Sequence, residues 1–202
     1  LAKWRKRANL TYGSGDWYKP PPGLVEARKD EPWKALVDGS VEVLPASGSL
    51  QTVRTFRDYR LHVEFMLPDQ KERHWKQRGN SGVYIHGCYE IQVLDSFGRG
   101  TLGNSEAGAL LGLKAPEVNA CLPPLTWQAY DVVFRAPRYD ERERKIENAR
   151  ITVIYNGKLI HRDVELPRAT EGWGPEEPPV GPIILQDYGS PVRYRNIWLV
   201  EK

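Results

Sequence analysis

The segment YEIQVLD, residues 89–95, carries a carboxylate and an amide two residues apart, Glu90 and Gln92, followed by a second carboxylate, Asp95. A carboxylate can act as a general base or acid, whereas an amide does not titrate and serves instead to hydrogen-bond hydroxyl groups. Residues i and i+2 of a β-strand project from the same face. The spacing therefore predicts Glu90 as a proton-transfer group with Gln92 as its neighbour. A structural ion pair between Glu90 and an arginine is the competing interpretation.

Two other segments, YRLHVEFML and VRYRNIWLV, show the same alternation of apolar and polar residues. Alternation of this kind is typical of strands that face a core on one side only. If these strands lie in one sheet with Glu90, their polar faces form a single surface suited to a hydroxyl-rich ligand. An ordinary solvated sheet face is the alternative. The polar positions concerned are His62, Glu64, Arg193 and Arg195.

Composition limits the class of protein. The chain has 202 residues, of which 40% are hydrophobic, and this length suits a single domain over 1–202, with a less regular segment over 1–35. The net charge of +3 is too small for the basic field of a duplex-binding protein, so nucleic acid is not predicted as a partner. No apolar run is long enough to span a membrane, and the oligomeric state is not predicted.

Strand-like segments dominate the chain, and no long segment has helical periodicity. Asn156-Gly157 between two apolar segments predicts a hairpin, because both residues tolerate a positive φ. The charged run YDERERKIENAR predicts a solvated loop, with a short helix as the alternative. The pattern predicts an all-β fold, a two-sheet antiparallel β-sandwich of jelly-roll type. The predicted strands are 41–44, 50–56, 59–67, 82–86, 89–95, 127–135, 150–155, 158–166, 183–187 and 192–200.

The two cysteines, Cys88 and Cys121, allow one disulfide or none, and neither has the spacing of a zinc ligand. No cofactor or metal site is predicted, although a divalent cation held by several loops stays open. The N-terminus lacks the apolar core of a signal peptide, and because the chain begins at Leu1 an export signal could have been removed.

Several motifs together resemble a known family. RGNSGVYIHGCYEIQVLDSFG, AGALLGLKAPEVNA, ITVIYNGKLIHRDVEL and GPIILQDYGSPVRYRNIWLV occur in the order found in the 3-keto-disaccharide hydrolase domain family, from about Asp38 to Val200. The resemblance implies a concanavalin A-like jelly roll, exported by bacteria to the periplasm or the medium, that acts on carbohydrates oxidised at C3. The chain departs from the family at Leu111, where a Tyr is usual, and at Tyr188, where a His is usual.

The chemistry implied by the resemblance is a proton abstraction. A ketone at C3 acidifies the C2 proton, so that a base can remove it and the C1 glycosidic oxygen can leave. We expect Glu90 as the base, Arg195 as a stabiliser of the enolate, and His86 or His62 as the acid. Trp75, Trp127 and Trp173 are candidate stacking platforms for a sugar ring. The predicted substrate-binding residues are Asn80, Ser81, Gln92, Asp95, Gln186, Asp187, Arg193, His62 and Glu64.

Each of these residues also has a structural interpretation. Asn80 and Ser81 precede a strand at a glycine, where a turn is their expected role.

The spacing of Glu90, Gln92 and Asp95 also resembles the Glu-x-Asp-x-x-Glu strand of laminarinase-like glycosidases, in which a bulge brings the outer two acids to one face. A two-carboxylate glycosidase is therefore one alternative function, and a non-catalytic, lectin-like module is another.

Overall fold

The computed structural model describes the backbone strand 4–6 together with residues 33–170 and 177–202. These residues form two large antiparallel sheets and one small hairpin. Among them, the first sheet has five strands in the order β1-β4-β13-β6-β7. Its strands are β1 (Trp4–Lys6), β4 (Leu50–Thr52), β13 (Ile184–Leu185), β6 (Ser81–Ile85) and β7 (Tyr89–Val93).

The second sheet has seven strands in the described residues, in the order β12-β11-β8-β5-β14-β3-β2. Its long central strands pair over most of their length, whereas β2 and β3 are two residues each. A short 3-10 helix, Trp75–Gln77, precedes β6. The strands are β12 (Lys158–Leu166), β11 (Ala149–Tyr155), β8 (Trp127–Arg135), β5 (Tyr59–Met66), β14 (Arg193–Glu201), β3 (Val41–Glu42) and β2 (Lys34–Ala35).

The core lies between the two sheets. Alternate residues of β5, β8 and β11 are buried, as expected for strands with one face against a core. Large aromatic rings fill the centre, with the ring centroids of Phe65 and Tyr130 4.9 Å apart and those of Tyr130 and Tyr155 4.6 Å apart. The predicted fold class, an all-β two-sheet antiparallel sandwich of jelly-roll type, is confirmed. In the described residues, no helix is long and apolar enough to cross a membrane.

Two of the connections between strands were predicted from the sequence, and one of these predictions is correct. The predicted hairpin at Asn156-Gly157 is confirmed, with φ values of 49° and 78°. The run predicted as a solvated loop instead contains a two-stranded hairpin, β9 (Arg138–Tyr139) with β10 (Lys145–Glu147). Asp140 organises its turn, because its carboxylate accepts hydrogen bonds from the backbone N–H groups of residues 142 and 144.

The strands β6 and β7 differ from the rest because every residue of both is buried. Val83 and Ile91, which pair directly, belong to the core between the sheets. Their neighbours on the other face, Tyr84 and Glu90, are shielded from solvent as well. The polar outer face of this sheet is therefore a covered surface, not the solvated one that alternation alone suggests.

Candidate active site

A row of paired residues crosses the outer face of the five-stranded sheet. Gln51 on β4 pairs with Ile184 on β13, Ile184 pairs with Tyr84 on β6, and Tyr84 pairs with Glu90 on β7. Directly paired residues of antiparallel strands project from the same face. The four side chains therefore share one face, and all four are buried.

The next row of this face contains Gly82, which pairs with Gln92. Gln186 follows β13 and donates its backbone N–H to the carbonyl of Gly82 at 2.9 Å. The predicted juxtaposition of Glu90 and Gln92 on one face is thus present, and Gln186 lies beside it. We call the set Tyr84, Glu90, Gln92 and Gln186 the carboxylate face.

The carboxylate of Glu90 is the central ionisable group of this face. Glu90 is 1% exposed, and burial raises the pKa of its carboxyl group to about 8. A hydrogen bond from the Tyr84 hydroxyl opposes this rise. The oxygen Oε2 has no hydrogen-bond partner in the described part of the chain. A buried carboxylate with a raised pKa and an unused oxygen has the properties of a general base or acid.

The space for this carboxylate comes from Gly82. A Cβ atom built at position 82 would lie 2.8 Å from the carboxyl carbon of Glu90, closer than real Cβ atoms approach. Gly82 therefore leaves the room that the Glu90 side chain occupies. Sequence analysis did not identify this role, although alternation in SGVYI does place Gly82 and Tyr84 on one face.

Tyr84 links Glu90 to Gln186. The side-chain amide of Gln186 donates to the Tyr84 hydroxyl at 3.1 Å, which leaves that hydroxyl to donate its proton to the Glu90 carboxylate. The amide of Gln92 lies 3.5 Å from the carbonyl of Ser105, and its Oε1 has no hydrogen-bond partner within the described residues. The face thus carries both donors and acceptors around one carboxylate.

The backbone of β7 is fixed on its other edge by three loop residues. The Leu111 N–H donates to the carbonyl of Glu90 at 3.2 Å, and the Gln92 N–H donates to the carbonyl of Ala109 at 2.9 Å. The Glu90 N–H donates to Thr170 Oγ1 at 2.9 Å. Both edges of the strand are therefore bonded, so the position of Glu90 is set by its backbone as well as by its side chain.

Asn80 and Ser81 have structural roles here. Ser81 projects into the core, where its hydroxyl donates to the carbonyl of Gln186 at 2.6 Å and lies 2.7 Å from the Tyr194 hydroxyl. The predicted substrate contact by Ser81 is therefore wrong, because odd-numbered residues of β6 face the core. Asn80 is also buried, and its amide donates to the carbonyl of Lys76 at 2.7 Å.

The two aspartates lie outside the carboxylate face. Asp187 accepts hydrogen bonds from the backbone N–H groups of Gly48 and Gly189, both at 3.0 Å, and burial raises its pKa. Asp95 accepts from the N–H of Phe97 at 3.2 Å. The pairing of β6 with β7 is regular over Tyr89–Val93 and shows no bulge there, and Asp95 lies two residues beyond the end of β7.

His86 is not beside the carboxylate of Glu90. It occupies the β6–β7 turn with φ 58°, and its ring stacks on Tyr89 and contacts Phe134 in the core. Its Nε2 lies 2.6 Å from the carbonyl of Pro178, and burial lowers its pKa to about 4. The expectation that His86 acts as the acid is wrong for this geometry, because Tyr89 and Glu90 project from opposite faces of β7.

The predicted single polar surface is also wrong. Arg193, Arg195, His62 and Glu64 belong to β14 and β5 in the seven-stranded sheet, whereas Glu90 belongs to the five-stranded sheet. Arg195 Nε bonds Glu64 Oε2 at 2.6 Å. Arg193 Nε bonds Glu42 Oε2 on β3 at 2.7 Å. Neither arginine neutralises Glu90, because the core separates the two outer faces.

The predicted stacking residues are dispersed. Trp75 lies under the guanidinium of Arg99, with 4.0 Å from its Cζ to the ring centroid, and Trp127 lies under Arg195 at 3.9 Å. Trp173 lies outside the described residues. Cys88 and Cys121 are both buried free thiols, which settles the open question of a disulfide. Within the described residues, no group of three or more His, Cys, Asp and Glu side chains could hold a metal ion.

Fold and site together define a β-sandwich with a shielded carboxylate face on one sheet. The model of the family described as 3-keto-alpha-glucoside-1,2-lyase-like domain matches residues 1–200, and the chain belongs to that family. The resemblance read from the motifs is thereby confirmed. Among curated protein sequences, none matches the chain significantly.

Solved structures agree with this assignment. A crystal structure from Parabacteroides distasonis, named "putative glycosyl hydrolase", is 34% identical, has a TM-score of 0.76, and covers 84% of this chain and 74% of that one. A second structure from that organism, with the same name, is 20% identical with a TM-score of 0.60, and the match covers 99% of this chain and 100% of that one. The family and the first of these structures support a carbohydrate-active protein; the second shows the fold.

Proposed function

We propose that the protein cleaves glycosides whose sugar carries a ketone at C3, with Glu90 as the base that removes the C2 proton. The observation that carries the proposal is the Glu90 carboxylate, buried at the centre of a hydrogen-bonding face and with its pKa raised to about 8. A base works best when its pKa lies near the working pH, because it is then strong and still partly ionised. Family membership supports the substrate class.

The proposed reaction is an elimination followed by addition of water. Glu90 takes the C2 proton, and the electron pair of the C2–H bond forms an enolate with the C3 ketone. The enolate electrons then form the C1–C2 double bond as the C1–O bond breaks, and the leaving oxygen takes up a proton. Water adds across C1 and C2 to give the free 3-keto sugar, so the net change is hydrolysis.

The residues around Glu90 supply the remaining roles. Because Arg195 and His86 lie away from this face, the enolate donors and the acid must come from elsewhere. The amide of Gln92 is a donor that this face offers to a developing oxyanion, and the Tyr84 hydroxyl becomes a second one after Glu90 has taken up the C2 proton and no longer needs its hydrogen bond. Each such donor contributes a few kcal/mol in a preorganised site. Protonated Glu90 can return its proton to the leaving oxygen, so that one carboxyl group acts first as base and then as acid.

The test compares two substrates that differ only at C3. The protein is incubated with a 3-keto-glucoside and with the matching unoxidised glucoside, and sugar release is followed. We expect release from the keto substrate alone, and loss of at least about 100-fold in turnover for Glu90→Gln. Cleavage of the unoxidised glucoside would instead indicate a conventional glycosidase. Binding of the keto substrate without turnover would indicate a lectin-like module.

A further inference from the structure

A second group of polar and aromatic side chains lies on the outer face of the seven-stranded sheet. At its centre, His62 Nδ1 is 2.7 Å from Asp131 Oδ1 and His62 Nε2 is 3.6 Å from Glu64 Oε1. The imidazole stacks on the indole of Trp198, with ring centroids 5.2 Å apart and an interplanar angle of 11°. We call His62, Glu64, Asp131, Asn196 and Trp198 the imidazole cluster.

A bulge in β14 completes the imidazole cluster. The pairing of β14 with β5 shifts register between Arg195 and Trp198, and Asn196 adopts a left-handed φ of 45°. The bulge directs the Asn196 amide to Glu64 Oε1 at 2.7 Å, with His62 Nε2 at 3.4 Å. Bulges redirect side chains and are frequent beside functional sites. A regular ladder could carry the Arg195–Glu64 ion pair without this unfavourable conformation.

Trp198 is 47% exposed despite the size of its side chain. Val200, two residues further along the same strand, is also exposed on this face. Large aromatic residues that remain exposed beside half-buried polar groups are frequent at binding surfaces. The exposed indole, with its polar neighbours, offers a flat apolar surface edged by hydrogen-bonding groups.

We propose that the imidazole cluster is a second, non-catalytic binding site for a neutral saccharide. A sugar ring has an apolar C–H face that can stack on Trp198, and hydroxyl groups at its edge that can bond Glu64, Asp131 and Asn196. Anionic ligands such as uronates or phosphates are disfavoured by the two carboxylates, of which, among the residues that the structure describes, only Glu64 has an arginine partner.

The imidazole cluster is separated from the carboxylate face by the core. The two surfaces belong to different sheets, so a sugar on one does not occupy the other. The inference therefore does not depend on the proposed reaction at Glu90. If both hold, the imidazole cluster would retain the protein on a polymeric carbohydrate while the other face acts on a small oxidised sugar.

The test is affinity electrophoresis in gels that contain a soluble neutral polysaccharide, which is a β-1,4-glucan, a β-1,3-glucan, an α-glucan or a galactomannan, with polygalacturonate as the anionic comparison. All proteins carry Glu90→Gln, so that turnover does not alter the polymer. We expect at least one of these polymers to retard the protein, and Trp198→Ala to weaken the retardation about tenfold, as expected for loss of an aromatic anchor. Phe97→Ala is the matched control, because Phe97 is 52% exposed and lies outside the cluster.

Three outcomes would overturn the inference: no retardation by any neutral polymer, equal retardation of the Trp198→Ala and Phe97→Ala variants, or retardation by polygalacturonate alone. If Trp198→Ala does not fold, Asp131→Ala tests the same site, because it removes a carboxylate proposed to bond the sugar hydroxyls and should likewise weaken the retardation. Turnover of a small 3-keto-disaccharide by Trp198→Ala, in a chain that keeps Glu90, should match the unmodified protein. That measurement separates failure of this inference from failure of the proposed reaction.

Discussion

Glu90 occupies space that exists only because residue 82 has no side chain, since a Cβ atom there would lie 2.8 Å from the Glu90 carboxyl carbon. Gly82→Ala should therefore displace the carboxylate from the Tyr84 hydroxyl and misalign it with substrate. We expect kcat/KM for a 3-keto-glycoside to fall about tenfold or more, since small displacements of a catalytic group are costly.

The matched control for this substitution is Gly100→Ala. A Cβ atom at position 100 meets no atom of the described residues within 4 Å, and its backbone does not require glycine. This variant should keep full activity. A Gly82→Ala variant with unchanged kcat/KM would show that the position of the Glu90 carboxylate is unimportant for the reaction.

The raised pKa of Glu90 predicts how stability depends on pH. In the unfolded chain a glutamate titrates near 4.5, and in the folded protein Glu90 titrates at about 8. Between these values the folded state holds a proton that the unfolded state has lost, so the free energy of unfolding falls as pH rises, by up to about 1.4 kcal/mol per pH unit. The contribution of protonated Glu90 to the free energy of unfolding is therefore fully present below pH 4.5 and is lost by about pH 8.

Glu90→Gln removes this titration. The difference in free energy of unfolding between Glu90→Gln and the unmodified protein should therefore grow in favour of the variant from pH 5 to pH 8, as measured by urea denaturation. For the unmodified protein, kcat/KM should rise with pH along a limb with an apparent pKa of about 8, since only the ionised carboxylate is a base. A flat difference in stability across this range would contradict the buried position of Glu90.

Tyr84 tunes this titration. Its hydroxyl bonds the Glu90 carboxylate and opposes the effect of burial, so Tyr84→Phe should raise the pKa of Glu90 further. The ascending limb of the kcat/KM profile should move to higher pH, and activity at pH 7 should fall. Tyr155→Phe is the control, because its equally buried hydroxyl bonds Gln128 in the core. That variant should lose stability without moving the limb, and an unshifted limb in Tyr84→Phe would refute the role of Tyr84.

Leu111 is one of the two positions at which the motifs predict a departure from the family, with Leu in place of Tyr. Leu110 pairs with Ile91 on the core side, so Leu111, whose N–H bonds Glu90, projects from the same face as Glu90. Leu111→Tyr would add a phenol beside the carboxylate, and we expect turnover of a 3-keto-glycoside to rise several-fold because a phenol can donate a proton or stabilise an oxyanion. Leu122→Tyr, at an exposed position elsewhere, should leave turnover unchanged. Lower turnover in Leu111→Tyr would indicate that the leucine is adapted to a different substrate.

Local patterns predicted the strands and the face on which each residue lies. The bounds of β8 and β12 match the predicted ones, because alternation and flanking turn residues define a strand over a few residues. Alternation also placed Glu90 and Gln92 together on the face opposite Ile91, as observed. These properties depend on neighbours in sequence, and sequence reasoning captures them.

Alternation along the sequence could not predict which strands share a sheet. The expectation that Arg195 joins Glu90 assumed a shared sheet, yet β14 pairs with β5 across more than a hundred residues of chain and belongs to the other sheet from β7. The burial of Glu90 also depends on distant groups, since Thr170 and Leu111 bond its strand from two separate loops. Alternation gives the side of a strand but not what covers it.

The hydrogen bond between Ser81 and Tyr194 joins the two sheets through the middle of the sandwich. Ser81 is the chain neighbour of Gly82 beneath the carboxylate, and Tyr194 is the chain neighbour of Arg195 on the far surface. Removing either hydroxyl would therefore break a contact between the sheets directly beneath both exteriors. Variants designed to change sugar preference on the outer face of one sheet should therefore keep this hydrogen bond, so that the other sheet keeps its position.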